Sequence, residues 1–444
     1  MTTPLPRPWR YASSGFGTRR GSLSRTSWRV LRNRQFQLYF AGSLVSNLGT
    51  WLQNTAQVLL AYQLTHSVFG VGAVTCAQFA GSLFLGPWAA VLADRIGSKR
   101  ILVYTQIFSA CAAAAMAWLQ ITGILTERFL IVGALALGLA FTFVLPVQVA
   151  TVPRLVPDQD NEAALAMNSV SYNIGRAIAP ILCVVVISTL GFSWVFTFNA
   201  MSFLFFAGTL ILIQSHPLNA QKSPRPARAR DGIKIAFESP RIWLLLGMVA
   251  AVTLADDPVL VLGPALAQHI LGISNDWAGY FLAALGCGTI LGSLAPTKFV
   301  VVRRPSDGSK RAALWLLVLA GSMFFFVLGI SPLVSITAAC AAGVAALMTG
   351  AATQALLMQQ RPRKAASIMA LWAIAWAGTK PLASLADGWL ATVVGVRYAG
   401  LILIIPALAL AMLEICLPVG VKARIKSYGT QPRPPELCDV PVHS

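Results

Sequence analysis

Asp256 and Asp257 stand side by side in an apolar run and are followed at once by Pro258. Counted from Arg241 they lie ~14–15 residues along it, or ~21–23 Å at about 1.5 Å per helical residue. That is past the middle of a hydrocarbon core about 30 Å thick. An ionised Asp near the centre of a bilayer costs about 2.5–3.5 kcal/mol, so the pair asks for a cation, a wet cavity or a proton. Adjacent side chains point ~100° apart on a helix, so the two cannot face one ligand equally. Like charges side by side resist being ionised together, and a carboxyl that takes and gives a proton is what a proton-coupled carrier requires. Pro258 has no N–H and frees a carbonyl one turn back, and interrupted helices mark transporter sites. The competing reading is a helix that begins later and leaves the pair in shallow, wet structure.

Two cations lie at comparable depth in other apolar runs, Arg176 and Lys380. Asp387 is seven residues beyond Lys380, on the same helix face about two turns on. Lys380 can neutralise Asp256, Asp257 or Asp387, or release one when a proton arrives. A permanent buried ion pair accounts for Lys380 without coupling, and a hydrogen-bond hub between helices accounts equally for Arg176. Asn47, Gln53, Asn54 and Gln57 put amides on an early apolar run, with Asn47, Asn54 and Gln57 in one stripe. They read as substrate-facing or as contacts between helices. Gln148, Thr349, Thr353 and Gln354 are weaker candidates of the same kind. His66, His269 and Glu414 fall near helix ends, where interfacial roles are expected. The sequence shows no nucleophile–base set, metal cluster or Gly-rich loop ending in Lys-Ser/Thr, so no enzyme, metal or cofactor is expected.

These residues need a membrane around them. Of the 444 residues, 56% are hydrophobic and 11% are charged, against roughly 25% charged in soluble domains. About twelve apolar runs are each near the ~20 residues that cross a bilayer. They cover 36–62, 68–92, 101–122, 128–150, 163–189, 193–213, 242–268, 277–297, 312–330, 332–358, 365–391 and 398–418. Residues 214–241 break the series with Pro217, Pro224 and Pro226 and the cations Lys222, Arg225, Arg228, Arg230 and Lys234. The expected organisation is a basic tail (1–35), a six-helix bundle (36–213), a linker (214–241), a second six-helix bundle (242–418) and a second tail (419–444).

The net charge of +19 invites a nucleic-acid reading, which its distribution opposes. All but four of the 34 Lys and Arg fall in tails and loops on one side; Arg128, Arg176, Lys380 and Arg397 are the exceptions. That asymmetry places both termini in the cytoplasm, and a bacterial inner membrane is the expected location. The seven Cys have no metal-ligand spacing, so most read as small buried hydrophobes. The halves echo one another. Gly175, Arg176 and Pro180 fall in the fifth run, and Gly378, Lys380 and Pro381 in the eleventh. The charged hairpin after the second run is matched by a basic loop after the eighth, which lacks the acid.

That hairpin, Leu92-Ala93-Asp94-Arg95-Ile96-Gly97-Ser98-Lys99-Arg100, resembles the loop between helices 2 and 3 of major facilitator transporters. Ala90 stands where the family pattern has Gly, and Ser98 is an extra residue. Further matches resemble the transmembrane secretion effector, or drug:proton antiporter-3, branch. They are Leu31–Phe36, Ser46–Gln53, Asn168, Asn173, Arg176, Pro180, Met369–Trp372, Gly378 and Pro381. The resemblance implies an all-α integral membrane fold of twelve transmembrane helices in two pseudo-symmetric bundles. It implies proton-coupled export of a small amphiphilic drug-like compound or siderophore by a monomer, with an importer or uniporter as the alternative. It also implies a conformational latch at Asp94, Arg95, Gly97, Lys99 and Arg100, in which Asp94 meets the N-terminus of a neighbouring helix.

Overall fold

The computed structural model describes residues 29–213, 239–295, 305–360 and 365–416. The first bundle holds α1 (Arg34–Thr65), α2 (Val68–Ile96), α3 (Ser98–Ile121), α4 (Glu127–Thr151), α5 (Asn161–Leu190) and α6 (Phe192–Leu212). The second opens with α7 (Pro240–Asp256), which continues through short turns at Pro258–Val261 and Gly263–Ala265 to a π-turn at Leu266–Ile270. Then come α8 (Trp277–Leu294), α9 (Pro305–Leu328) and α10 (Pro332–Gln360). The eleventh pass is split into α11 (Ala365–Ala377) and α12 (Thr379–Val394), and α13 (Val396–Cys416) is the twelfth.

Nine described helices are long and apolar enough to cross a membrane. Of the other three passes, two fall short for chemical reasons. The eleventh is cut at Gly378 and carries Lys380 and Asp387. α1 bears Asn47, Gln53, Asn54 and Gln57, and the described apolar part of α2 is the short Val68–Ser82. Polar side chains are what take α1 and the eleventh pass below the hydropathy of a lipid-facing helix. Large apolar side chains such as Phe108, Val132, Leu204, Phe325 and Leu333 point outward, where lipid covers them.

Packing follows a two-fold pattern. In the first bundle α1 lies against α5 and α6, α2 against α4, and α3 against α4 and α6. In the second, α7 lies against α10 and α13, α8 against α10, and α9 against α10 and α13. The bundles meet along two matched seams, α2 with α12 and α5 with α8. The same hinge recurs in both halves: Gly191 after α5 and Gly395 after α12 each have φ 88°, a conformation that glycine reaches without Cβ strain.

The seams depend on missing side chains. A Cβ on Gly72 of α2 would sit 2.4 Å from the Ser384 carbonyl oxygen of α12, and one on Gly388 would sit 2.9 Å from Phe69 Cα. On the other seam, a Cβ on Gly286 of α8 would lie 2.5 Å from Ala177 Cα. Small residues let helix backbones approach within a membrane. Gly72, Phe69 and Gly388 lie toward the end of the bundle opposite the chain termini, here the distal end. Tyr62 Oη and His269 Nε2 also meet there, 2.9 Å apart, across the two bundles. The distal end is therefore held closed by contacts between the halves.

Candidate functional site

Two helix breaks build the site, and proline explains both. Pro258 cannot donate to the carbonyl of Leu254, and α7 ends at Asp256 with Asp257 in a turn. A single apolar run over 242–268 was expected; the structure gives a helix, a proline break and a π-turn. Pro381 likewise leaves the Ala377 carbonyl without its intrahelical donor, and Ser82 Oγ of α2 donates to it at 3.0 Å. The eleventh pass, expected unbroken over 365–391, divides there. Pro180 frees the Arg176 carbonyl in α5, which faces Gly286 of α8 closely enough that a Cβ would approach to 2.8 Å.

The breaks bring five charges together. Lys380 Nζ lies 2.5 Å from Asp257 Oδ1 and 3.9 Å from Asp256 Oδ1. Arg176 lies 3.7 Å from Asp256 Oδ2, with its guanidinium 5.8 Å from the centre of the Trp51 ring. Ser384 Oγ donates to Asp257 Oδ2 at 2.6 Å. Asp387 sits beside Asp257, carboxyl to carboxyl. Asp257 and Asp387 are both 0% exposed. Neither oxygen of Asp387 meets a hydrogen-bond donor among the described residues. Three carboxylates thus face two cations, leaving one negative charge in surplus if all are ionised. An unpaired buried carboxylate is expensive, and such a group neutralises rather than staying charged.

A narrow central cavity of about 40 Å³ opens onto Arg176, Lys380 and Asp256, with Trp51, Phe79 and Gln78 in its wall. That volume has room for a few waters. Asp257 and Asp387 lie behind it, in the α7–α12 packing.

The amides of α1 divide. Asn54 borders the cavity and is half-buried. Gln53, expected to face substrate, is 0% exposed, accepts from Asn199 Nδ2 at 2.7 Å and donates to Met116 Sδ at 3.4 Å. Gln57, also expected there, is fully buried; it accepts from Gln78 Nε2 at 2.7 Å and donates to Met116 Sδ at 3.5 Å. Asn47 is buried and donates to Ser171 Oγ of α5 at 3.0 Å. In this conformation Asn47, Gln53 and Gln57 tie α1 to its neighbours, because hydrogen bonds to adjacent helices consume their polar atoms. Gln148 is buried and lines a second cavity inside the first bundle. Gln354 is half-buried on α10 and lines neither cavity. Thr349 and Thr353 bond back to carbonyls of their own helix.

Of the expected latch, the side chains of Asp94 and Arg95 lie outside the described residues. Gly97 has φ 97°, and Arg100 is exposed. Lys99 Nζ donates to the Ile213 carbonyl at 2.6 Å and the Ile211 carbonyl at 3.3 Å. It caps α6 of its own bundle, a favourable place for a cation.

Ser384, Gln78 and Trp51 join the site without carrying a charge. Ser384 had a signal in its spacing, four residues after Lys380 and three before Asp387, on the same face. Gln78 is a lone amide in the apolar stretch of α2, and a polar group inside a membrane is by default functional.

Solved structures share the fold. A bacterial homologue of the human lysosomal transporter Spinster, inward-facing and occupied, superposes with TM-score 0.68 at 15% identity, covering 87% of this chain and 98% of that one. The nucleoside transporter NupG gives 0.69 at 11% identity, covering 86% and 98%. The enterobactin exporter EntS of Escherichia coli is 25% identical over 276 residues, 61% of this chain and 65% of that protein. The MFS-type transporter YfiS of Bacillus subtilis is 24% identical over 277 residues, 59% and 64% respectively. These matches span less than two thirds of either relative. The model of the transmembrane secretion effector family matches residues 25–442. That match covers nearly the whole chain, which therefore belongs to the transmembrane secretion effector family of major facilitator transporters, a family of carriers and not of enzymes.

Proposed function

We propose that this carrier exports a small amphiphilic molecule in exchange for protons. The observation that carries the reading is the surplus carboxylate: Asp387 is buried against Asp257 and no donor among the described residues reaches it. One proton shared by these two carboxyls balances Asp256, Asp257 and Asp387 against Arg176 and Lys380. A proton on Asp257 weakens its hold on Lys380, whose nearest other acid is Asp256 at 3.9 Å. Lys380 then competes with Arg176 for that carboxylate, which alters the packing of α12 against α2. The proton thus acts on the seam that keeps the distal end closed, which is how its binding and release are tied to the movement of that end.

Export is supported by the likeness to EntS, an enterobactin exporter, and the central cavity supports a small-molecule substrate. The basic loops support cytoplasmic termini and a bacterial inner-membrane location, with the chain acting as a monomer. The hairpin at 94–100 serves as the latch, with Lys99 fixing it to α6.

The test is transport of cationic, neutral and anionic amphiphiles into everted vesicles under an imposed pH gradient. Wild type is expected to accumulate at least one class, and Asp387→Asn and Asp257→Asn to equilibrate it without accumulation. Each proton exchanged supports about a tenfold substrate gradient per pH unit. Undiminished pH-driven accumulation in both variants removes these residues from coupling.

A further inference from the structure

A groove of about 750 Å³ runs along the outer surface of the second bundle, between α9 and α13. It shares no lining residue with the central cavity. Close packing and small side chains together create it. A Cβ on Gly400 of α13 would lie 2.5 Å from Val327 of α9, so the two helices touch there. A Cβ on Gly321 of α9 would meet nothing within 4 Å, so Gly321 faces open space beside that contact. Ala320, Gly321 and Phe324 form one wall, and a stripe of α13 from Tyr398 to Leu408 forms the other. Tyr398 supplies the one polar side chain of the lining, and Phe324, Tyr398, Ile405 and Leu408 are exposed.

Arg397 stands at the distal mouth of this groove. It precedes the lining residues Leu401 and Ile404 by four and seven positions, which puts it on their face of α13. Side chains tilt toward the N-terminus of their helix, and the N-terminus of α13 is its distal end, so the guanidinium heads for the membrane surface. Arg397 is exposed and meets no carboxylate among the described residues. Residues 308–331 and 388–413 contain no Asp or Glu. Arg397 is also one of the few cations placed against the charge asymmetry of the chain. An uncompensated cation at the head of a long apolar groove asks for an anion with a hydrocarbon tail.

The geometry points to a binding site for one anionic phospholipid of the leaflet at the distal end, with an acyl chain in the groove and the phosphate on Arg397. From Arg397 to Leu408 the groove runs about 16 Å at about 1.5 Å per residue, which matches one leaflet of a hydrocarbon core about 30 Å thick. A second copy of the chain fits this face less well. A closed two-fold along the membrane normal would bring two Arg397 side chains to the same depth, facing one another, with no acid between them. The site depends neither on the molecule carried nor on the path of the proton.

The test uses full-length protein in phosphatidylcholine nanodiscs that carry a trace of phosphatidylglycerol with a diazirine in its acyl chain. Adducts are located by peptide mass spectrometry, and the outward face of α6 reports the ordinary lipid shell. Wild type is expected to label residues 320–324 and 401–408 above the α6 level. Unlabelled phosphatidylglycerol should compete saturably, and diacylglycerol of the same chains should not. Arg397→Gln is expected to cut groove labelling about fivefold, the share of one cation beside an anionic lipid. Gly321→Leu fills the groove and is expected to bring labelling down to the α6 level. Neither residue lies in the transport site, and unchanged α6 labelling shows each variant to be embedded normally. Groove labelling no stronger than that of α6 in wild type overturns the proposal. So does labelling that survives Arg397→Gln or Gly321→Leu, or that diacylglycerol or inorganic phosphate displaces equally well. A wild-type dimer that Gly321→Leu dissociates assigns the face to a second copy and overturns it too.

Discussion

Replacing Lys380 by Met keeps the length of the side chain and removes its charge. In the native protein Asp257 Oδ1 is paired with Lys380 at 2.5 Å and Oδ2 accepts from Ser384 at 2.6 Å, with no exposed surface. The variant leaves Ser384 as the remaining donor to Asp257 among the described contacts, a hydrogen bond to a charged group worth about 1.5–3 kcal/mol. Three carboxylates then face Arg176 alone, and the negative surplus rises from one to two. Breaking a buried pair by removing one partner costs about 3–5 kcal/mol, while replacing both partners is often neutral. Lys380→Met is therefore expected to lose about 3–5 kcal/mol, a large share of a total stability of about 5–15 kcal/mol. Lys380→Met with Asp257→Asn returns the surplus to one and is expected to recover most of that loss. Equilibrium unfolding in mixed micelles with increasing SDS measures all four corners of the cycle. A Lys380→Met protein as stable as wild type, or a double variant no better than Lys380→Met, would refute the pairing.

Other predictions follow from the seams and hinges. Gly72→Ala is expected to push α2 off α12, since the new Cβ meets a backbone oxygen; spin-label distances across the distal end should lengthen, with Gly388→Ala acting alike. Gly97→Ala is expected to cost about 1–3 kcal/mol through its φ of 97° and ψ of 128° alone, because open space surrounds the position; SDS unfolding reads this directly. Tyr62→Phe removes the described hydrogen bond to His269 and is expected to raise maleimide labelling of cysteines placed beneath the distal closure, with unfolding unchanged to within about 1 kcal/mol.

The fold was legible because lipid imposes it. Apolar runs near twenty residues, a basic linker after the sixth and cations on one side leave few alternatives to two six-helix bundles. The charged cluster was legible for the same energetic reason: Asp256, Asp257, Lys380, Asp387 and Arg176 have no cheap place in a bilayer except with one another. Two kinds of fact were not legible. Pro381 indicated a free carbonyl at Ala377, yet the sequence does not say that Ser82 of another helix would cap it. A helical stripe shows which residues share a face and not what that face meets. Gln53 and Gln57 therefore read equally as substrate-facing or as contacts between helices, and in this conformation Asn199, Gln78 and Met116 occupy them.

Proton coupling at this cluster requires that its surplus carboxylate carry a proton while the distal end is closed. Infrared spectroscopy of the purified protein in lipid measures this directly through the C=O stretch of a protonated carboxylic acid, which shifts on exchange into heavy water. Wild type is expected to show one such band that fades as the pH is raised, and Asp387→Asn or Asp257→Asn to lack it. A protonated-carboxyl band that persists unchanged in both variants, or its absence from wild type at every pH at which the protein is folded, would contradict the account.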